Sequence, residues 1–118
     1  MVSTLPGVDP AVVPSGTGCV ECEAASGWWL HLRRCTQCGH IGCCDTSPSQ
    51  HASAHAAGTR HPVIRSFEPG EDWFFNYQTN EFYEGGPALA PPEHHPTTQT
   101  VPGPAHRVPA DWQSHLHE

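Results

Sequence analysis

Eight side chains between Cys19 and His61 have the types and the spacing to hold metal. Cys19-Val-Glu-Cys22 and Cys35-Thr-Gln-Cys38 are two Cys-x-x-Cys knuckles; Gly39-His-Ile-Gly-Cys43, His51-Ala-Ser-Ala-His55 and His61 follow. A knuckle closes a tight turn that aims two thiolates at one ion, and a second pair from elsewhere completes the tetrahedron. Cys19, Cys22, Cys35, Cys38, Cys43, His51, His55 and His61 are eight donors, enough for two closed four-ligand sites with no position left for water. That is the chemistry of structural zinc, two ions per chain. A hydrolytic zinc keeps one position open for water, so the expectation is a protein without catalytic residues. Both Cys-x-x-Cys pairs also lack the βαβ setting of a thioredoxin-like redox site.

The rest of the chain bounds what those donors can build. Its 118 residues include thirteen Pro and eleven Gly, gathered toward the ends, which suits one small folding unit of about residues 19–86. A unit of that size buries too little apolar surface to offset its chain entropy comfortably and needs a staple such as metal. Twelve Asp and Glu stand against five Arg, and lysine is absent. That balance disfavours the phosphate backbone of nucleic acid and an anionic membrane surface. No apolar run approaches the ~20 residues of a spanning helix, and Met1-Val-Ser-Thr-Leu-Pro-Gly lacks the basic start and apolar stretch of a signal peptide. The expectation is a cytoplasmic chain, whose thiols stay reduced and available to metal.

Local signals then place the donors. Residues 1–18 read as a flexible leader. Trp28–Arg33 alternates as a half-buried strand. Ser47, Pro48 and Gln50 predict a helix capped at Ser47 that runs to about Ala57 and stops at Gly58; on it His51 and His55 lie one turn apart and share a face. Pro62–Phe67 reads as a second strand. Asp72–Tyr77 and Glu81–Glu84 read as a hairpin. Residues 87–118, rich in Pro, Thr and His, read as a disordered tail.

With these motifs in hand, Cys19–Tyr83 resembles a UBP-type zinc finger, the ubiquitin-binding module of many deubiquitinating enzymes. The lysine-free composition, rich in Ala, Gly and Pro, suits a stand-alone member from a GC-rich bacterial genome. The resemblance implies an α+β fold, a twisted antiparallel sheet with one main zinc-anchored helix and flexible termini. It also implies interleaved sites, Cys19, Cys22, Cys43 and His51 on one ion and Cys35, Cys38, His55 and His61 on the other; the residues alone also allow His51 and His55 on one metal. In ubiquitin-binding members Gly-Arg-Tyr follows the last ligand cysteine and helps to grip the ubiquitin carboxylate. Here Cys44-Asp45-Thr46 follows Cys43, a charge reversal that disfavours ubiquitin's tail.

The remaining candidates are aromatic. Trp29, Trp73, Phe75 and Tyr77 serve either as core and zinc shield or as a groove in which rings stack on a peptide. Arg33, Arg34 and Arg65 form a solvated face or supply replacement carboxylate anchors. Cys44 is expected to be a packed thiol, and His31 and His40 to support neighbouring groups. The function expected is a protein-interaction module that binds a protein or peptide tail other than ubiquitin in an aromatic-lined groove. The alternative is a redox- or zinc-responsive regulator that releases metal on thiolate oxidation.

Overall fold

A computed structural model describes residues 7–117. Five short strands form one antiparallel sheet in the order β2-β1-β3-β4-β5. They are β1 (Leu32–Cys35), β2 (Ile41–Cys43), β3 (Val63–Ser66), β4 (Phe74–Asn76) and β5 (Glu81–Tyr83). Two α-helices join them, α1 (Val20–Ala24) and α2 (His51–Thr59). The α+β architecture expected from the sequence is therefore present. Among the described residues no helix is long and apolar enough to cross a membrane.

Strand register decides what each face of the sheet carries, because directly paired residues project to one side. Arg34 pairs with both Ile41 and Arg65, and Arg65 with Phe74, so these four share the first face. Arg33 pairs with Gly42 and Ser66, while Ile64 pairs with Phe75 and Phe75 with Phe82; these lie on the second face, where α2 packs. The approach is close: a Cβ on Gly42 would sit 2.7 Å from the Ala52 nitrogen. Only glycine lets the start of α2 settle on β2 and bring His51 over Cys43.

The first face is covered by segments from outside the finger. Arg34 is fully buried, and a guanidinium offers five donors and no acceptor. Its Nη2 donates to the Val12 carbonyl at 2.7 Å and its Nη1 to the Pro92 carbonyl at 3.1 Å. Arg65, also buried, donates to the Glu93 carbonyl at 3.0 Å. Leu89 packs on Val63 and Phe74 with Val8 beside them. The described parts of the expected leader and tail thus carry little regular structure, two short 3-10 turns at Ala105–Arg107 and Trp112–His115, and are held at discrete points by buried arginines. A solvated face is not what Arg34 and Arg65 form; residues 1–6 lie outside the described part.

A compact core of Cys19, Cys22, Trp29, Leu32, Ile41, Cys43 and Phe67 sits at one end of the sheet. Glu68, buried beside it, accepts from the Leu32 N–H at 3.0 Å and meets His31 Nδ1 at 3.1 Å. Buried His95 places Nε2 3.0 Å from Oε2, the carboxylate oxygen that also accepts from Leu32, without making a hydrogen bond. Its backbone N–H donates to the Phe67 carbonyl at 2.9 Å.

Local differences from the sequence reading have physical causes. The helix begins at His51, not after Ser47. Buried Ser47 spends its hydroxyl on the Leu30 N–H at 2.9 Å, and Gln50 at φ 53° breaks any helix before it. At the other end α2 runs through Gly58 to Thr59 and is stopped by Arg60 at φ 61°. The strand expected at Trp28–Arg33 starts only at Leu32, since Trp29 makes an isolated bridge with Gly103. Helix α1 and strand β2 were not anticipated; both are short segments shaped by the knuckles they contain or follow.

Candidate metal centres

The fold gathers the eight donors into two groups, Cys19, Cys22, Cys43 and His51, and Cys35, Cys38, His55 and His61. The first group draws on α1, β2 and α2, the second on β1, the turn after it, α2 and the chain after α2. In the first, α1 supplies a turn whose Cys22 N–H donates to Cys19 Sγ at 3.4 Å. Cys43 ends β2 and accepts from the His51 N–H at 3.3 Å. His51 Nδ1 then lies 3.2 Å from Cys19 Sγ, 3.3 Å from Cys22 Sγ and 3.6 Å from Cys43 Sγ. In the second group Cys38 Sγ is 3.5 Å from Cys35 Sγ and 3.2 Å from His55 Nε2, with Cys35 Sγ 3.7 Å from His61 Nδ1.

These separations can be compared with a metal's demands. Zn–S and Zn–N bonds of ordinary length place the donors of a tetrahedron about 3.8 Å apart for two sulfurs and about 3.5 Å for sulfur and nitrogen. Within each group every donor atom lies inside 4.8 Å of the others, so both sets fit a zinc ion with little movement. His51 and His55 share a helix face, yet they belong to different ions, because β2 brings Cys43 under the first turn while β1 and the chain after α2 deliver Cys35 and His61 to the second.

Protonation makes the same point. The Cys22 thiol is pushed far up by hydrogen bonding to the sulfurs of Cys19 and Cys43 and by burial. Burial lifts Cys35 to about 11. Cys43 is held down to about 2 because the Cys19 and Cys22 thiols both donate to it. Without a cation, crowding and burial oppose ionisation of all three sulfurs at once. A divalent ion replaces the thiol protons and lets all three sulfurs ionise. The first site is largely buried, whereas the second has an exposed Cys38 and half-buried histidines.

The other candidates separate. Trp29 is 3% exposed and packs in the core around the first site, away from the other three rings, where it borders a separate hollow of about 210 Å³ with Gly18, Glu23 and Gln99. Trp73, Phe75 and Tyr77 do lie together on the α2 side of the sheet. Trp73 is 5.4 Å from Phe82 by ring centroid, Phe75 is 5.2 Å from Tyr77, and the Arg33 guanidinium stacks on Trp73 at 4.6 Å. Next to Tyr77 a hollow of about 510 Å³ opens between α2 and the turn after β4, lined by Ser53, Ala56, Arg60 and Pro62 among others. Burial, and then the charge of Asp45, push the Tyr77 phenol up, which places a carboxylate near this end of the strip. Cys44 is 4% exposed with Sγ 3.4 Å from Ser47 Oγ and belongs to neither donor group.

The sequence did not point to Phe82, at 58% exposure the most exposed ring of the strip; the period-two hairpin places it beside Trp73 and could have revealed it. It also did not single out Glu21, which holds His40, or Glu68, since an isolated carboxylate carries no spacing signal.

Comparisons with known proteins agree with this geometry. Residues 19–87 match the family model described as a zinc finger in ubiquitin hydrolases and other proteins. A solution NMR structure of a small protein from Rhodopseudomonas palustris is 34% identical with a TM-score of 0.64, the match covering 86% of this chain and 97% of that one. That share of this chain is larger than residues 19–87 make up, so the likeness extends into the flanking segments. No curated protein matches the sequence.

Proposed function

The chain belongs to the ubiquitin-hydrolase-type zinc-finger family, and from that premise we propose that it is a two-zinc interaction module that holds a protein or peptide tail on the aromatic strip of its sheet. One observation carries this reading. The first face of the sheet is closed by flanking segments, while Trp73, Phe75, Tyr77 and exposed Phe82 lie on the other face with the Arg33 guanidinium over Trp73. Stacking rings beside a guanidinium suit an extended chain that ends in, or carries, a carboxylate. Arg34 and Arg65 are buried beneath the flanking segments, so the cations at the strip are Arg33 over Trp73 and Arg60 in the hollow beside Tyr77.

The strip is not matched to ubiquitin. Asp45 stands where the family's binders use arginine, and it acts on Tyr77. Loss of a charge-assisted bond of about 1.5–3 kcal/mol, with a like charge added, predicts an affinity more than about a hundredfold weaker. Calorimetry with ubiquitin, and with ubiquitin lacking its terminal Gly-Gly, should show no difference between the two. A micromolar constant that vanishes on Gly-Gly removal restores the ubiquitin-binding reading.

The groove itself is tested by affinity capture with zinc-loaded protein from the native cell. A protein retained by the wild type, lost from the Trp73→Ala/Phe82→Ala double variant and displaced by its own C-terminal peptide supports the proposal. Equal retention by the double variant contradicts it.

A further inference from the structure

His40 touches ligands of the second donor group and, through Glu21, the turn that carries two ligands of the first. It follows the Cys35–Cys38 knuckle and precedes Cys43 in the chain. Its ring stacks on the second-site ligand His55, with centroids 3.9 Å apart and planes 1° from parallel. Its carbonyl accepts from the N–H of Cys35, another second-site ligand, at 2.7 Å. On its other edge Nε2 lies 2.9 Å from Glu21 Oε1 and 2.8 Å from Oε2. Contact with both oxygens of a carboxylate requires a proton on Nε2, so His40 donates. Glu21 sits in α1, inside the turn between the first-site ligands Cys19 and Cys22.

We infer that the His40–Glu21 pair is a positioning bridge that couples loading of the two metal sites. The bond fixes α1, and with it the Cys19–Cys22 turn, against a ring whose opposite contact fixes His55. Metal in the second site orients His55, holds His40 by stacking and sets Glu21 where the first knuckle must close. Metal in the first site acts along the same contacts in reverse, as linkage between sites requires. The two sites also share the β1–β2 hairpin and α2, but those routes run through backbone that a side-chain change at His40 leaves in place. Hydrogen-bonded partners behind a metal's ligands set affinity as well as orientation, and their loss costs about 10- to 100-fold.

The inference rests on the two-site reading, and cobalt(II) titration separates the two. Cobalt in a three-thiolate site and in a two-thiolate site absorbs differently, because the sulfur-to-metal charge-transfer band grows with the number of thiolates. In the wild type both spectra should grow in constant proportion up to two ions per chain. In His40→Phe, which keeps a stacking ring and loses the hydrogen bond, the spectra should grow in separate steps, the second ion bound about 10- to 100-fold more weakly. Glu21→Ala should repeat that behaviour, and Glu21→Gln, which still accepts from Nε2, should load like the wild type. Parallel growth in His40→Phe and Glu21→Ala, or separate steps in the wild type, overturns the coupling while leaving two sites. A wild type that saturates at one cobalt overturns the two-site reading itself.

Discussion

Removing both zinc ions unfolds the finger. Structural zinc in small modules is worth about 10–16 kcal/mol, against the roughly 5–15 kcal/mol that separates a folded domain from its unfolded chain. Little here can replace it. The main core has seven residues, three of them cysteine ligands. Strands are three or four residues long and α2 has nine, below the ~12–15 at which an isolated helix becomes even marginal in water. Within the fold, burial and neighbouring sulfurs push the Cys22 and Cys35 thiols up, so gathering these thiolates without a cation is unfavourable. Near-UV circular dichroism, dominated by four tryptophans, should collapse on chelation and return with stoichiometric zinc. A chelated protein that keeps its near-UV spectrum contradicts a metal-held fold.

Cys43→Ser empties one site, and Cys44→Ser empties none. Cys43 is fully buried, receives the Cys19 and Cys22 thiols and accepts the N–H of His51, so its loss leaves three donors and a hydroxyl that binds zinc poorly. The expected cost is several kcal/mol of stability, since metal-binding free energy is folding free energy in such modules. Cys44, one residue on, points to Ser47 Oγ, and serine replaces its weak hydrogen bond for about 1 kcal/mol or less. Elemental analysis should give one zinc per chain for Cys43→Ser and two for Cys44→Ser. The reverse pattern means the ligand register is shifted by one residue.

The metal centres were legible in the sequence because their signal is local: knuckle spacing, a one-turn His-His pair and a following His-Pro. The partition of His51 and His55 between two ions was not legible from residues alone, since a shared helix face allows one metal. It follows from long-range geometry, the close passage of Gly42 beneath α2 that delivers His51 to Cys43. The hairpin was legible from its alternation. The Ser47 cap misled because its hydroxyl serves Leu30, seventeen residues away, and a capping pattern is blind to such a competitor. The placement of Arg34 and Arg65 was hidden for a similar reason. Arginine reads as solvated, and only the sheet register reveals that both turn toward carbonyls brought in from residues 12, 92 and 93.

Zinc K-edge X-ray absorption of the purified protein tests the central claim most directly. Five cysteines and three histidines make up the two donor groups, so with both sites filled the averaged shell should contain sulfur and imidazole nitrogen in a ratio of five to three. Four-coordinate bonds of about 2.3 Å to sulfur and about 2.0–2.1 Å to nitrogen should account for the whole shell, with no water. A shell with an oxygen from solvent, or with the donors of a single site only, contradicts two closed structural zinc centres.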